Sequence, residues 1–408
     1  MYETKFKITY IQFFFMCSLL VTFLPMGIIY SSGNYAYIMQ MIYVLQFAVY
    51  SVTIYLCIKK RKNRDLFTTQ IKVFIIWGVI LLASTYLYSR SWTTTFKALN
   101  YILGILALFF VIKYMFKYED KKSFSILYIC FSIFSFVNIL AVILYPNGLY
   151  NYGWQGATYW FGGKFTTFYM FYTWLCLYVV KKRMSNIMAY IIPIAVGLFL
   201  CVKTDCSTGI ACLGLTGILI FIKKWIVKIK PWMIILILLG MAGIMILSNI
   251  IFENSIIKYL VTNVLHRTTL LTGRVEIYHN FQQIIQNYKW LGAGYGNSIV
   301  MDNTVQGYVN AQNGVLDIVT KSGLIGLVIF MTVLYVFWKE GTLYLKKMEN
   351  ILVAVFVIGF FICSFVEISF NYYFFILLAL MGGDVSLIAD KKSLINISQL
   401  RGKNIIWR

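Results

Sequence analysis

The chain has 408 residues, 60% of them hydrophobic and only 12% charged, with four prolines and a formal net charge of +22. So much apolar surface excludes a soluble globular domain. A helix needs about 20 mostly apolar residues to cross the hydrocarbon core, and a dozen such helices would use about 240 apolar residues, close to what this composition supplies.

Apolar runs follow one another at 10–30, 36–58, 71–89, 98–116, 124–145, 165–180, 186–203, 208–222, 232–251, 313–338, 350–367 and 370–388. The expected fold is therefore an all-α integral membrane protein of about 12 transmembrane helices, one polytopic domain over 1–408. The first run lacks a small-x-small cleavage site and reads as a retained span. With the N-terminus inside and strict alternation, the basic clusters around Lys5, Lys59, Lys113, Lys181, Lys223, Lys346 and Lys391 all fall on the cytoplasmic side. Nine of the 36 basic residues then remain outside: Arg90, Lys97, Lys164, Lys203, Lys258, Arg267, Arg274, Lys289 and Lys321. This is the positive-inside bias. The charge is an orientation signal, with both termini cytoplasmic, and nucleic acid is not an expected partner. The eight cysteines form no C-x-x-C pair and read as small packing residues.

The third connection carries Arg90 and Lys97 beside Trp92, residues that suit the membrane interface or a substrate. The fifth connection, 146–164, is aromatic and glycine-rich and ends on Lys164. Its rings suit an interfacial belt or stacking on sugars equally. "VKTDCSTG", 202–209, is a tight outer hairpin holding Lys203 and Asp205.

The one large outer loop, 252–312, contains both histidines, His266 and His279, with Arg267 and Arg274. Within it, Arg274, Ile277, Tyr278, Phe281, Ile284, Ile285 and Tyr288 recur at helical spacing. Glu276, His279, Gln283 and Gln286 fill the opposite face. The spacing predicts an amphipathic helix over about 274–288 on the membrane surface, apolar side down. It ends on Gly292-Ala-Gly294-Tyr-Gly296. These glycines follow a helix, whereas a dinucleotide fingerprint follows a strand; they read as a turn that lets backbones approach closely.

Beyond the loop, Asp317 and Lys321 are spaced as a helical ion pair or a functional couple. Glu367 is expected at the outer end of the eleventh span. Ionisable groups at such depths cost about 2.5–3.5 kcal/mol on insertion scales and usually face a wet cavity. Several outward cations converging on such a cavity suit an anionic lipid head group, because arginine binds phosphate through paired N–H donors. A lipid pyrophosphate becomes a good leaving group once its charge is neutralised. No cluster has metal-ligand spacing and no cofactor motif is present, so neither a metal nor a cofactor is expected.

"TGRVEIYHNFQQIIQNYKWLGAGYGNS", 272–298, resembles the segment of O-antigen and capsular polysaccharide polymerases and ligases that reads G-R, an aromatic, an apolar helix, then G-x-G-x-G. "AQNGVLDIVTKSGLIGLVIF", 311–330, is similar to that family's next element, and "LYPNGLYNYGWQGATYWFGGKF" to the outer loop of its Gram-positive capsule members. The resemblance implies a Wzy-type repeat-unit polymerase of GT-C fold in the cytoplasmic membrane of a bacterium. Such an enzyme joins undecaprenyl-diphosphate-linked oligosaccharides at the outer face. Membrane lipids surround it, and a flippase and a chain-length regulator are candidate partners.

By motif position, the resemblance makes Arg274 the diphosphate contact, with Lys203 assisting. Where the family often has His-Asn, this chain has Gln312-Asn313, and glutamine is no base at neutral pH. The acceptor hydroxyl is then either oriented by Gln312 or activated by Glu367, Asp317, His279 or His266. Arg90, Lys164, Arg267, His279 and Asn313 complete the candidate substrate-binding set. The alternatives are a polysaccharide ligase of the same family and a flippase for the same lipid-linked repeat. The absent histidine disfavours the ligase. The lack of an internal repeat disfavours the flippase.

Overall fold

The computed structural model describes residues 8–25, 29, 35–59, 65–151, 157–182, 188–247, 277–278, 281, 285–296 and 310–389. Arg267, Arg274, His266 and His279 lie outside these residues, as does most of the 252–312 loop.

Twelve main helices run through the described residues: α1 Tyr10–Thr22, α2 Tyr35–Lys59, α3 Thr69–Ser89, α4 Trp92–Tyr118, α5 Lys121–Leu144 and α6 Lys164–Lys182, then α7 Met188–Lys203, α8 Ser207–Phe221, α9 Pro231–Ile246, α10 Gly314–Thr342, α11 Met348–Cys363 and α12 Tyr372–Met381. Each apolar run of the sequence carries one of them. Five, α2 from Tyr37 onward together with α3, α4, α5 and α10, are long and apolar enough to cross a membrane. Of the other seven, α6 has 19 residues, and the remaining six are apolar helices in the range of 10–17 residues, less than about 30 Å of bilayer core requires at 1.5 Å per residue. The β-structure among the described residues is a two-residue antiparallel pair, Tyr150–Asn151 with Ala157–Thr158, and a single bridge from Thr158 to Gly163, all in the aromatic connection.

The helices are apolar nearly all round, so each buries whichever side meets a neighbour. α4 lies deepest, packed against α2, α3 and α12 and buried along most of its length from Ala98 to Met115. α10 packs on α3 and α9, and α11 on α8, α12 and α6. Rings fill the seams: Phe74 meets Phe109 edge-on at 5.0 Å and Tyr169 stacks on Phe360 at 5.3 Å.

Alternating helix direction gives the bundle two ends. At the basic end lie the starts of α1, α3, α5, α7, α9 and α11 and the ends of α2, α4, α6, α8, α10 and α12. The opposite, site end gathers the connections at 90–91, 145–163, 204–206, 289–296, 310–313 and 364–371.

Several boundaries differ from the sequence reading, two of them at the ends of α1 and α11. The first helix stops at Thr22, where Pro25 is close enough to bar continuation. The eleventh stops at Cys363, four residues before Glu367, and residues 364–371 form an irregular, largely buried link to α12. Polar side chains bind the backbone there instead of letting it propagate. Ser364 and Ser369 donate to the carbonyls of Phe361 (2.6 Å) and Phe360 (2.9 Å), and Asn371 caps α12 through Tyr373 N and Phe374 N. Irregular backbone at membrane depth persists only inside protein or along a wet cavity.

Candidate functional site

The site end is built on a backbone clasp. α10 is kinked at Gly323 (φ 66°, ψ −168°), a conformation only glycine adopts readily. Into the kink fits the Gly292–Gly296 turn, whose three glycines all have positive φ. Ala293 N donates to Thr320 O (2.6 Å), Gly294 N to Lys321 O (3.2 Å), and Leu324 N to Lys289 O (2.9 Å). A methyl on Gly323 would sit 2.2 Å from Trp290 O, and one on Gly294 2.7 Å from Thr85 Cα. Ser84 and Thr85 of α3 tie the turn from its other side, through Gly292 O (3.1 Å) and Tyr295 N (2.9 Å). These glycines serve close backbone approach.

Upstream of the turn, Ile277, Tyr278 and Phe281 are fully buried, and Ile285 and Tyr288 pack against the same core. Gln286 and Asn287 are exposed. The apolar face of the predicted amphipathic helix therefore finds protein at these positions. Tyr278 Oη donates to Gln312 O at 3.2 Å, joining that helix to the start of α10.

The Gln312-Asn313 pair sits at a three-way junction. Gln312 is half-buried in a left-handed conformation (φ 45°), its N–H donating to Asn310 Oδ1 at 3.0 Å. Asn313 is 1% exposed. Its Oδ1 accepts from Val315 N and Leu316 N, both at 3.0 Å, capping α10. Its Nδ2 donates to Phe365 O (2.9 Å) while Gly314 N donates to Ser364 O (2.7 Å), stitching α10 to the irregular link. Both polar atoms of Asn313 thus organise backbone.

One turn further, Asp317 and Lys321 form an ion pair of 2.6 Å with side chains 7% and 22% exposed. Lys321 Nζ also stands 5.4 Å from the Tyr295 ring centroid. Tyr295 in turn stacks on Tyr101 at 5.0 Å, and Tyr101 Oη donates to Phe370 O at 3.0 Å. Burial, with the nearby Asp317 carboxylate adding to it, pushes the Tyr295 phenol up to about 12. The ion pair, the glycine turn and the 364–371 link are one connected structure.

Within that link lies Glu367, 7% exposed. Its carboxylate acts electrostatically on Tyr169, Cys206 and Cys363. Lys164, at the start of α6, reaches the Asp205 carbonyl (3.4 Å) and favours the Cys206 thiolate. A hydrogen bond from Cys201, helped by Lys164, holds the Cys206 thiol below its usual range although burial opposes it. Lys164 and Glu367 therefore share one neighbourhood. Lys203 is on its rim, exposed and 5.9 Å from the Phe199 ring centroid. Arg90 stands apart, exposed in the turn between α3 and α4.

Sequence reading overlooked a buried polar seam below this neighbourhood. Asn138 of α5 and Thr167 and Tyr169 of α6 are 2–3% exposed. The Asn138 amide and both hydroxyls have no hydrogen-bond partner among the described residues. α5 and α6 run antiparallel, with Ser135 Oγ bonded to Met170 O and Trp174 Nε1 to Ser132 Oγ. That register sets Asn138 level with Thr167. Buried polar groups normally find protein or ordered water, and these three are enclosed by protein. The available signal was an asparagine inside the apolar run "FVNILAVIL" and paired threonines in "KFTTF".

No protein-family model matches the chain, and no curated protein matches it.

Proposed function

We propose that this chain is a polyprenyl-diphosphate-dependent oligosaccharide polymerase, acting at the outer face of a bacterial cytoplasmic membrane. In this reading all twelve helices span or re-enter the bilayer in a GT-C-like arrangement, both termini are cytoplasmic, and the site end is extracytoplasmic. The observation that carries it is the convergence at one end of the bundle: Lys164 and the Asp317–Lys321 pair gather near a buried, irregular stretch of backbone that itself carries Glu367. Cations there suit a diphosphate, and a buried carboxylate suits a base.

In the proposed reaction, the growing chain is attached to its lipid through a glycosyl diphosphate. Arg274, whose motif position assigns it the diphosphate, and Lys164 neutralise the leaving group. Glu367 accepts the proton of the acceptor hydroxyl on the incoming lipid-linked unit. The new glycosidic bond forms as the carbon–oxygen bond to the diphosphate breaks, releasing polyprenyl diphosphate. Gln312 and Asn313 act through the backbone junction they build. A flippase supplies the substrate and a chain-length regulator acts on the product.

The test is Arg274→Ala in cells producing the polysaccharide, followed by analysis of lipid-linked glycans. A polymerase defect accumulates single repeats in the outer leaflet. Repeats retained in the inner leaflet would instead identify a flippase. Polymer completed on its lipid but never transferred would identify a ligase.

A further inference from the structure

We infer that the groove between α3 and α4 is a binding site for one anionic phospholipid of the bilayer, with Arg90 holding its phosphodiester. Two adjoining concavities make the site. One, of about 340 Å³, is lined by Tyr86, Leu87, Arg90, Ser91 and Trp92 at the turn between the helices. The other, about 440 Å³, runs down the helices between Val79, Leu82 and Ala83 on α3 and Phe96 and Leu99 on α4. Tyr86 and Trp92 line both, so the polar mouth opens directly into the apolar trough. Thr95 also lines the trough, but its hydroxyl is turned onto Ser91 O at 3.0 Å and leaves the wall apolar.

The parts match a phospholipid in order and polarity. Trp92 and Tyr86, 78% and 55% exposed with ring centroids 5.7 Å apart, belong at head-group depth. Arg90 stands in the turn just before the start of α4, where the helix dipole adds partial positive charge. A guanidinium presents paired donors to a phosphate, and the trough below accommodates an acyl chain.

Charge selects the lipid. Arg90 is the one cationic side chain among the residues lining the two concavities. Lys97, the next cation on α4, is turned away, 5.5 Å from the Tyr43 ring centroid on α2. One guanidinium balances one phosphodiester charge, whereas a diphosphate would keep an excess of negative charge. The site thus fits a singly charged membrane lipid, and Arg90 leaves the substrate-binding set.

The backbone dictates the variant. Arg90 has φ 47° and ψ 22°, which asparagine tolerates better than most residues, so Arg90→Asn removes the charge and keeps the turn. The full-length protein, purified in detergent, is offered phosphatidylglycerol, phosphatidylcholine or a polyprenyl diphosphate and weighed intact by native mass spectrometry. Wild type is expected to retain one phosphatidylglycerol, at least tenfold more than phosphatidylcholine. Arg90→Asn should lose that preference, and Ala83→Trp, which fills the trough, should lower retention about tenfold. Leu99→Gln gives the same readout should the tryptophan variant fail to fold, as judged by lipid-free thermal unfolding. Equal retention of the two phospholipids, preferential retention of the polyprenyl diphosphate, or folded variants that bind as wild type would each overturn the assignment.

Discussion

The two ends of the bundle use polar residues in opposite ways. At the basic end, acids are matched to local partners. Lys113 pairs with Glu340 at 3.2 Å and donates to Gly382 O, Lys117 pairs with Asp65 at 3.1 Å, and Asp120 caps α5 while accepting from Gln12. Asp384 is gripped by Lys347, Asn350 and Ser386. These contacts join the starts and ends of six helices. At the site end, acidic side chains are buried more deeply, the backbone runs irregularly, and polar atoms of Asn138 and Thr167 have no partner among the described residues, as Gln70 Nε2 has none at the basic end. Such an arrangement costs stability. The difference teaches where polar contacts hold the helices together and where the proposed site sits.

The sharpest test of this division is a pair of acid-to-amide changes, one at each end. Glu367→Gln should cut polymer formation about 10³-fold, within the range ascribed to a positioned general base, while leaving protein abundance and thermal unfolding near wild type. Glu340→Gln should do the reverse. It leaves Lys113, 11% exposed, without its counter-ion and should cost about 1–3 kcal/mol of stability, between the surface and buried ion-pair limits. Activity per folded molecule should be unchanged. If Glu367→Gln merely unfolds the protein, the carboxylate belongs to the scaffold and the contrast between the ends fails.

Next in size is the clasp. Gly323→Ala forces both a positive φ and a contact with Trp290 O. It should cost about 3 kcal/mol or more, in line with strain plus overpacking. Gly240, on the outside of α9, has nothing within 4 Å of the place an added methyl would take. Gly240→Ala should be neutral or stabilise by up to about 1 kcal/mol, the ordinary helical preference for alanine. Thermal unfolding of the two variants side by side separates a glycine required by contact from one that is merely present. Asn313→Ala falls between them, at about 1–2 kcal/mol, because a cap and a tie to the irregular link go together.

The architecture was largely legible from residue type. Apolar runs anticipated a chain of apolar helices, since hydropathy follows from single-residue solvation, and five of them are long and apolar enough to cross a membrane. The glycine turn was legible as a place of close backbone approach, but its partner, the Gly323 kink, was not. That contact joins residues about thirty positions apart, and no local pattern encodes it. The end of α11 was misplaced because hydropathy counts Phe365, Val366 and Phe370 as span, while Ser364, Ser369 and Asn371 decide the backbone by hydrogen bonding. At the site, Asp317 and Lys321 announced themselves by i,i+4 spacing. Tyr101 and Tyr295 did not, because among 31 tyrosines only tertiary packing distinguishes them. Asn138 and Thr167 became conspicuous only when the α5–α6 register set them level.

The smallest expected effect concerns pH at the basic end. Burial raises the pKa of Asp384, but hydrogen bonds from Lys347, Ser386 and Asn350 outweigh it and hold the carboxyl below its ordinary value of 3.8. A carboxylate whose pKa is depressed by folding stabilises the native state above its unfolded pKa, and loses that contribution as pH falls through the folded value. Asp384→Asn should therefore lower stability at neutral pH by less than about 1 kcal/mol, as for other exposed pairs. The gap should begin to narrow below about pH 4 and close once pH has fallen through the depressed folded value, where the wild-type carboxyl gains its proton. Unfolding of both proteins across that interval is the measurement. A gap that persists at low pH would mean that Asp384 acts by shape and hydrogen bonding, and that charge pairing is not what closes this end.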